Sequence, residues 1–165
     1  MPAGTPGTNG TPGPEGKEGK AGKNGAAGSP WTADGTLPVG STETGAWNLQ
    51  SESSDLAFIS ISFTVPLAKA LTEGHAHLIN EKGMEETESG EVASTACVGS
   101  AAEPKAVSGN LCFYEAAQIN TLSLSNEIKN PVSREEQSTG TTGALVGFAV
   151  LKKEGVGRGT WAVTG

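Results

Sequence analysis

His75 and His77 are the only histidines in the 165-residue chain, and their spacing points both imidazoles to one side of a β-strand. Three copies of such a pair around a threefold axis would offer six nitrogens to a transition metal. The plainer reading is two strand histidines facing solvent or a neighbouring chain. Glu85, Glu86, Glu88 and Glu91 supply carboxylates that suit calcium, but the Asp-x-Asp-x-Asp-Gly loop that would order them is missing, and a solvated hairpin tip accounts for them. Cys97 and Cys112 flank a midpoint at Pro104-Lys105, a plausible turn, so a β-hairpin centred there would set them side by side for a disulfide in an oxidising setting; two buried thiols are the alternative. No Gly-x-Ser-x-Gly and no phosphate-cradling glycine loop occurs, and neither histidine has a recognisable partner. An enzyme is not expected, nor is a cofactor.

The elements that would carry these residues begin with a repeat. Glycine falls on every third position at Gly4, Gly7, Gly10, Gly13, Gly16, Gly19, Gly22, Gly25 and Gly28. This is a collagen signature, because three polyproline-II chains can share an axis only if the residue facing it has no side chain. A triple helix over residues 1–29 is therefore expected, and with it a homotrimer. At about 3.1 Å per residue the rod would be roughly 75 Å long. Its imino acids are only Pro6, Pro12 and Pro14, after which Glu15, Lys17, Glu18, Lys20 and Lys23 take over. So short a rod is expected to rely on a downstream head for its register.

Residues 30–43, with Trp31, read as a neck, and residues 44–165 as one domain-sized head. From Pro30 onward the chain has eight Lys or Arg against sixteen Asp or Glu, net −8, which argues against nucleic acid and anionic membrane surfaces as partners. No apolar run of the length that crosses a bilayer is present. The first residues have neither the basic region nor the apolar core of a secretory signal, so the expectation is either assembly inside the producing cell with release by lysis or a sequence that has lost its start. In the head, Ile59, Ile61, Phe63 and Val65 alternate with Ser60, Ser62 and Thr64 as a half-buried strand. Ala144 to Leu151 is apolar on both faces, with Val146, Phe148 and Val150 expected in core or subunit contacts. Ala93–Val98 and Asn110–Glu115 would be the arms of the cysteine hairpin. Gly159-Thr-Trp echoes Gly45-Ala-Trp, as if first and last strands pair with both termini at the stalk end. About eight short strands and no amphipathic helix predict an all-β antiparallel sandwich, jelly-roll-like. Outer loops 81–91 and 126–143 are the expected contact surfaces.

Gly28 to Thr32, Thr42 to Trp47, Ile61 to Leu67, Cys97 with Gly109 to Tyr114, and Gly159 to Thr164 together resemble the collagen-like proteins of actinobacteria and tailed phages. The resemblance implies a stalk with a β head and a surface or virion context, and it supplies no site residues. The expected function is a trimeric fibre or decoration protein of a phage particle, located in the virion. Its partners would be itself as a homotrimer, an anchor near the N-terminus, and a host or cell-surface ligand at the head. The alternative is a bacterial cell-surface adhesin that gains avidity from three weak sites.

Overall fold

The computed structural model describes residues 1–23 and 34–165. The N-terminal segment forms no triple helix: residues 1–23 carry no secondary structure and all are exposed. A Cβ placed on Gly4, Gly7, Gly10, Gly13, Gly16, Gly19 or Gly22 would meet no atom within 4 Å. This corrects the expectation drawn from the glycine period. A Gly-x-y chain makes no hydrogen bonds with itself, and along the single chain nothing occupies the room its glycines leave. Gly25, Gly28 and the neck residue Trp31 lie outside the described residues.

The head is built of nine strands, β1 (Thr42–Ser51), β2 (Leu56–Ser62), β3 (Ala76–Ile79), β4 (Glu85–Thr87), β5 (Gly90–Val92), β6 (Asn110–Ile119), β7 (Thr121–Lys129), β8 (Gly143–Val150) and β9 (Gly155–Thr164). They form a six-stranded sheet, β1-β9-β6-β3-β4-β5, and a three-stranded sheet, β2-β8-β7. The expected all-antiparallel jelly roll is corrected on two counts. The sheets are unequal, and β3 pairs with β6 in parallel, from Ala76 opposite Leu111 to Ile79 opposite Tyr114. The chain between these two strands first extends the sheet edge as the β4–β5 hairpin and then returns to β6 through a loop over the outer face. A crossover of this length is what parallel pairing requires.

That loop also corrects the cysteine hairpin. Residues 93–98 form no strand, and β6 pairs with β9 and β3 instead. Cys97 and Cys112 are joined in a disulfide with their Cα atoms 5.6 Å apart. The loop lies as a cover on Cys112, Tyr114, Ile79 and Ala162, a small second core separate from the one between the sheets. Val107 N–H donates to Ala96 O at 2.8 Å, Thr160 Oγ1 to Ala101 O and Thr164 Oγ1 to Ala106 O at 2.8 Å each, and the Tyr114 hydroxyl to Lys105 O.

Between the sheets, alternation decides which residues meet. Trp47 stacks on Phe113 at 4.5 Å and lies 5.3 Å from Phe148, while Phe63 meets Trp161 at 5.5 Å. Val146, Phe148, Val150 and Ile61 are buried with them and Ile59 packs alongside. The echo between the first and last strands has a steric meaning. Gly45 pairs with Trp161, and Trp47 pairs with Gly159, so each tryptophan lies over the other strand's glycine. A Cβ on Gly45 would come within 2.5 Å of the Trp161 ring, and one on Gly159 within 2.7 Å of Trp47 Nε1. That nitrogen donates to Tyr114 O at 3.0 Å. With β1 and β9 paired, the C-terminal Gly165 accepts from Gly40 N–H at 2.7 Å. Leu37 N–H donates to Pro66 O at 2.8 Å, next to the exit of β2. Leu37 to Gly40, through which the chain enters β1, therefore lie at the same end of the head as Gly165.

Candidate functional site

Three strands cannot cover six. β2 lies against β1 and β7 against β3, so the β4–β5 hairpin projects beyond the smaller sheet. Positions that would be core under a full second layer are open there, and the sequence fills them with polar groups: Asn80, Glu86 and Glu91. Together with Glu81, Lys82, Glu115, Gln118 and Thr121 they line a cleft of about 290 Å³ against the edge of β7. A second hollow of about 530 Å³ adjoins it, sharing Asn80, Glu81, Lys82 and Glu115 and running out to Ser100 and Tyr114.

Asn80 is the hub and is buried. Its Oδ1 accepts from the N–H of Lys82 and of Met84 at 3.0 Å each, closing the β3–β4 turn. Its Nδ2 donates to Glu86 Oε1 at 3.3 Å and Glu91 Oε1 at 3.0 Å, gripping both strands of the hairpin. Lys82 Nζ reaches Glu91 at 2.7 Å. The hydrogen bond to Glu91 and its charge hold the ammonium above its ordinary range. The backbone joins β3 and β4 at the turn, through the Ile79–Glu85 pair and the bonds from Asn80 N–H to Met84 O at 2.9 Å and from Gly83 N–H to Asn80 O at 2.8 Å. Beyond the turn, the Asn80 and Lys82 side chains tie in the hairpin through Glu86 and Glu91.

Glu115 forms the back of the cleft with 8% of its surface exposed. It continues the inward alternation of Leu111 and Phe113, at a β-bulge between Glu115 and Ala117, where the hydrophobic core ends. Gln118 Nε2 donates to its Oε1 and also to Ser123 Oγ, the latter at 2.7 Å. Burial pushes the Glu115 carboxyl up to about 7; the charges of Glu86 and Glu81 add to this, while bonds to Ser123 and Gln118 oppose it. The arrangement takes up or releases a proton near neutrality in a recess otherwise rich in carboxylates.

The histidines are placed apart from this cleft and from each other's partners. His75 is exposed at the entry to β3, with Nδ1 3.2 Å from the carbonyls of Thr72 and Glu73. His77 is half-buried, its Nδ1 2.6 Å from Glu85 Oε1 and its Nε2 2.9 Å from Asn110 Oδ1. The Asn110 amide is turned by donating Nδ2 to the carbonyls of Val107 and Ser108 at 3.1 Å. A metal on this His-x-His would have to displace Glu85 or Asn110 from His77. Among the described residues no group of three or more His, Cys, Asp or Glu side chains is placed to hold a metal ion.

The chain matches no family model, no curated protein and no solved structure. Of the two loops marked as contact surfaces, 81–91 is the β4–β5 hairpin with its turn and borders the cleft. Of the segment 126–143, the first residues complete β7, 131–136 form an exposed turn, and Ser138 and Thr139 are fully buried. Gln137 O accepts from Ala76 N–H at 3.0 Å, and Thr139 N–H donates to Leu71 O at 3.1 Å, so this segment closes the entry to β3. Sequence reasoning passed over Asn80, Glu115 and Gln118. The available signal was a glutamate at the next inward position after Leu111 and Phe113.

Proposed function

We propose that this chain is a structural protein, a trimeric fibre or decoration protein of a phage particle that displays its β head on an extended N-terminal segment and contacts a host surface through that head. The observation that carries the reading is the division of the chain into two parts. One, over residues 1–23, is a fully exposed run with glycine at every third position from Gly4; the other is a head whose first and last strands pair and whose entering residues, Leu37 to Gly40, lie beside Gly165. Such a head presents its opposite end, away from the attachment, to the surroundings. Its outer loop is pinned by the Cys97–Cys112 disulfide, which suits exposure outside a reducing cytosol.

Three identical heads on one particle would turn individually weak contacts into strong ones through effective concentration. Electron microscopy of purified particles with gold-labelled antibody against the head tests the assignment. Gold on the particles is the expected result. Gold confined to cell envelopes, with bare particles, would replace the fibre by the cell-surface adhesin.

A further inference from the structure

In β8 the inward residues Ala144, Val146, Phe148 and Val150 are buried within the chain's own core. The outward row of the same strand is Leu145, Gly147 and Ala149; Gly147 is buried under Phe58 and Glu127, and Leu145 and Ala149 are half-buried. Across it, Leu56 and Leu122 pair on either side of Ala149, and Phe58 pairs with Gly147. Phe58 lies flat over that glycine: a Cβ there would come within 2.9 Å of the Phe58 ring and 2.7 Å of the Glu127 side chain. Leu56, Phe58 and Leu122 are each close to half exposed, at 47%, 45% and 46%, and Leu151 at the end of the strand is 62% exposed. Other large exposed apolar side chains, such as Val39, Val98 and Val132, are scattered over separate loops. A contiguous apolar face of this kind marks an association surface.

We propose that the outer face of the β2-β8-β7 sheet is where copies of this chain pack on one another in the trimer, a proposal that rests on the trimeric reading above. Charge selects a second copy as the occupant. The head carries net −8, so most of its surface repels a like copy, yet the charged groups at this face are Glu127, Lys129 and Glu136. Lys129 lies between the two carboxylates, 2.8 Å from Glu127 and 3.6 Å from Glu136. A copy laid against this face meets a net charge of only −1, with a cation beside each carboxylate. Geometry selects an axis running along the strands over one across them. Leu37, where the chain enters the head, lies beside the exit of β2, so three sheets turned inward about an axis along their strands keep all three entries at one end. A contact about an axis across the strands would send them to opposite ends. Three such faces close into a prism whose centre holds Phe58, Leu145 and Ala149, while the acidic cleft stays outside.

Hydroxyl-radical labelling of the full chain, read by mass spectrometry beside light scattering over a range of concentrations, tests this. As the mass rises from one chain to three, labelling of Phe58 and Leu122 should fall several-fold while that of Val132 stays constant. Phe58→Glu should raise the concentration needed for the trimer tenfold or more. A three-chain mass with Phe58 and Leu122 labelled as strongly as in the single chain overturns the assignment of this face and leaves the trimer standing. A single-chain mass at every concentration overturns the trimeric reading itself, and this face with it.

Discussion

Glu115 is the residue whose environment departs furthest from what its neighbours in sequence suggest. Because its carboxyl titrates at about 7 in the folded head and near 4.3 in an unfolded chain, the folded state holds its proton more tightly. The stabilisation is complete below the unfolded value and is lost as pH rises towards and through the folded one. Glu115→Gln keeps an oxygen for Gln118 and removes the charge. Urea unfolding should therefore find the variant more stable than the parent at pH 8 by up to about 3 kcal/mol, since each tenfold change in proton affinity is worth about 1.4 kcal/mol. The two should converge near pH 4. A constant difference across that range would mean that the carboxyl is not held protonated by the fold. Sequence alone shows the inward alternation of Leu111, Phe113 and Glu115, but not that the second sheet stops short of the last of them. That depends on strand order, which no local pattern encodes.

At the scale of elements, the strands with clear alternation are the legible ones. Ile59 and Ile61 point inward and Ser60 and Ser62 outward as their period of two requires, and the paired Gly-x-Trp motifs announce that β1 and β9 are neighbours. The parallel β3–β6 pairing is illegible, because two cysteines astride a turn suggest a local hairpin whichever partner the second cysteine's strand finally takes. The cover loop this pairing leaves behind depends on its cross-link. With the cysteines 15 positions apart in sequence, the Cys97→Ser/Cys112→Ser variant should lose about 3 kcal/mol of stability on the chain-entropy account, measured by denaturant midpoint. Reductant should then act on the parent and leave the variant unchanged. An equal effect of reductant on both would show that the bridge does not stabilise the head. The β4–β5 hairpin has no cross-link: it is held by the backbone at the β3–β4 turn and, beyond it, by the Asn80 side chain. Asn80→Ala removes the bonds to Glu86 and Glu91 and the acceptor of the turn. Amide exchange in residues 85–92 should accelerate at least tenfold while β6 and β9 keep their protection. Acceleration throughout the head would show instead that the hairpin unfolds only with the core.

For the whole molecule, the two parts of the chain are separable by composition alone, since a run of Gly-x-y triplets cannot form a core and the residues after it can. What the glycine period does not convey is a conformation within one chain: it leaves space for neighbours, and residues 1–23 stand exposed without secondary structure. The head, by contrast, buries most of its large apolar residues within itself and leaves Leu56, Phe58 and Leu122 exposed together on the β2-β8-β7 face, where Glu127 and Glu136 both lie beside Lys129. Proposed assembly and proposed display therefore use different surfaces, the β2-β8-β7 face for neighbours and the far loops for the exterior. The mass of the full chain in solution, by light scattering at increasing concentration, is the most direct test of trimeric assembly. A plateau at three times the 16.6 kDa of one chain is expected; a single-chain mass at the highest concentrations reached would contradict it.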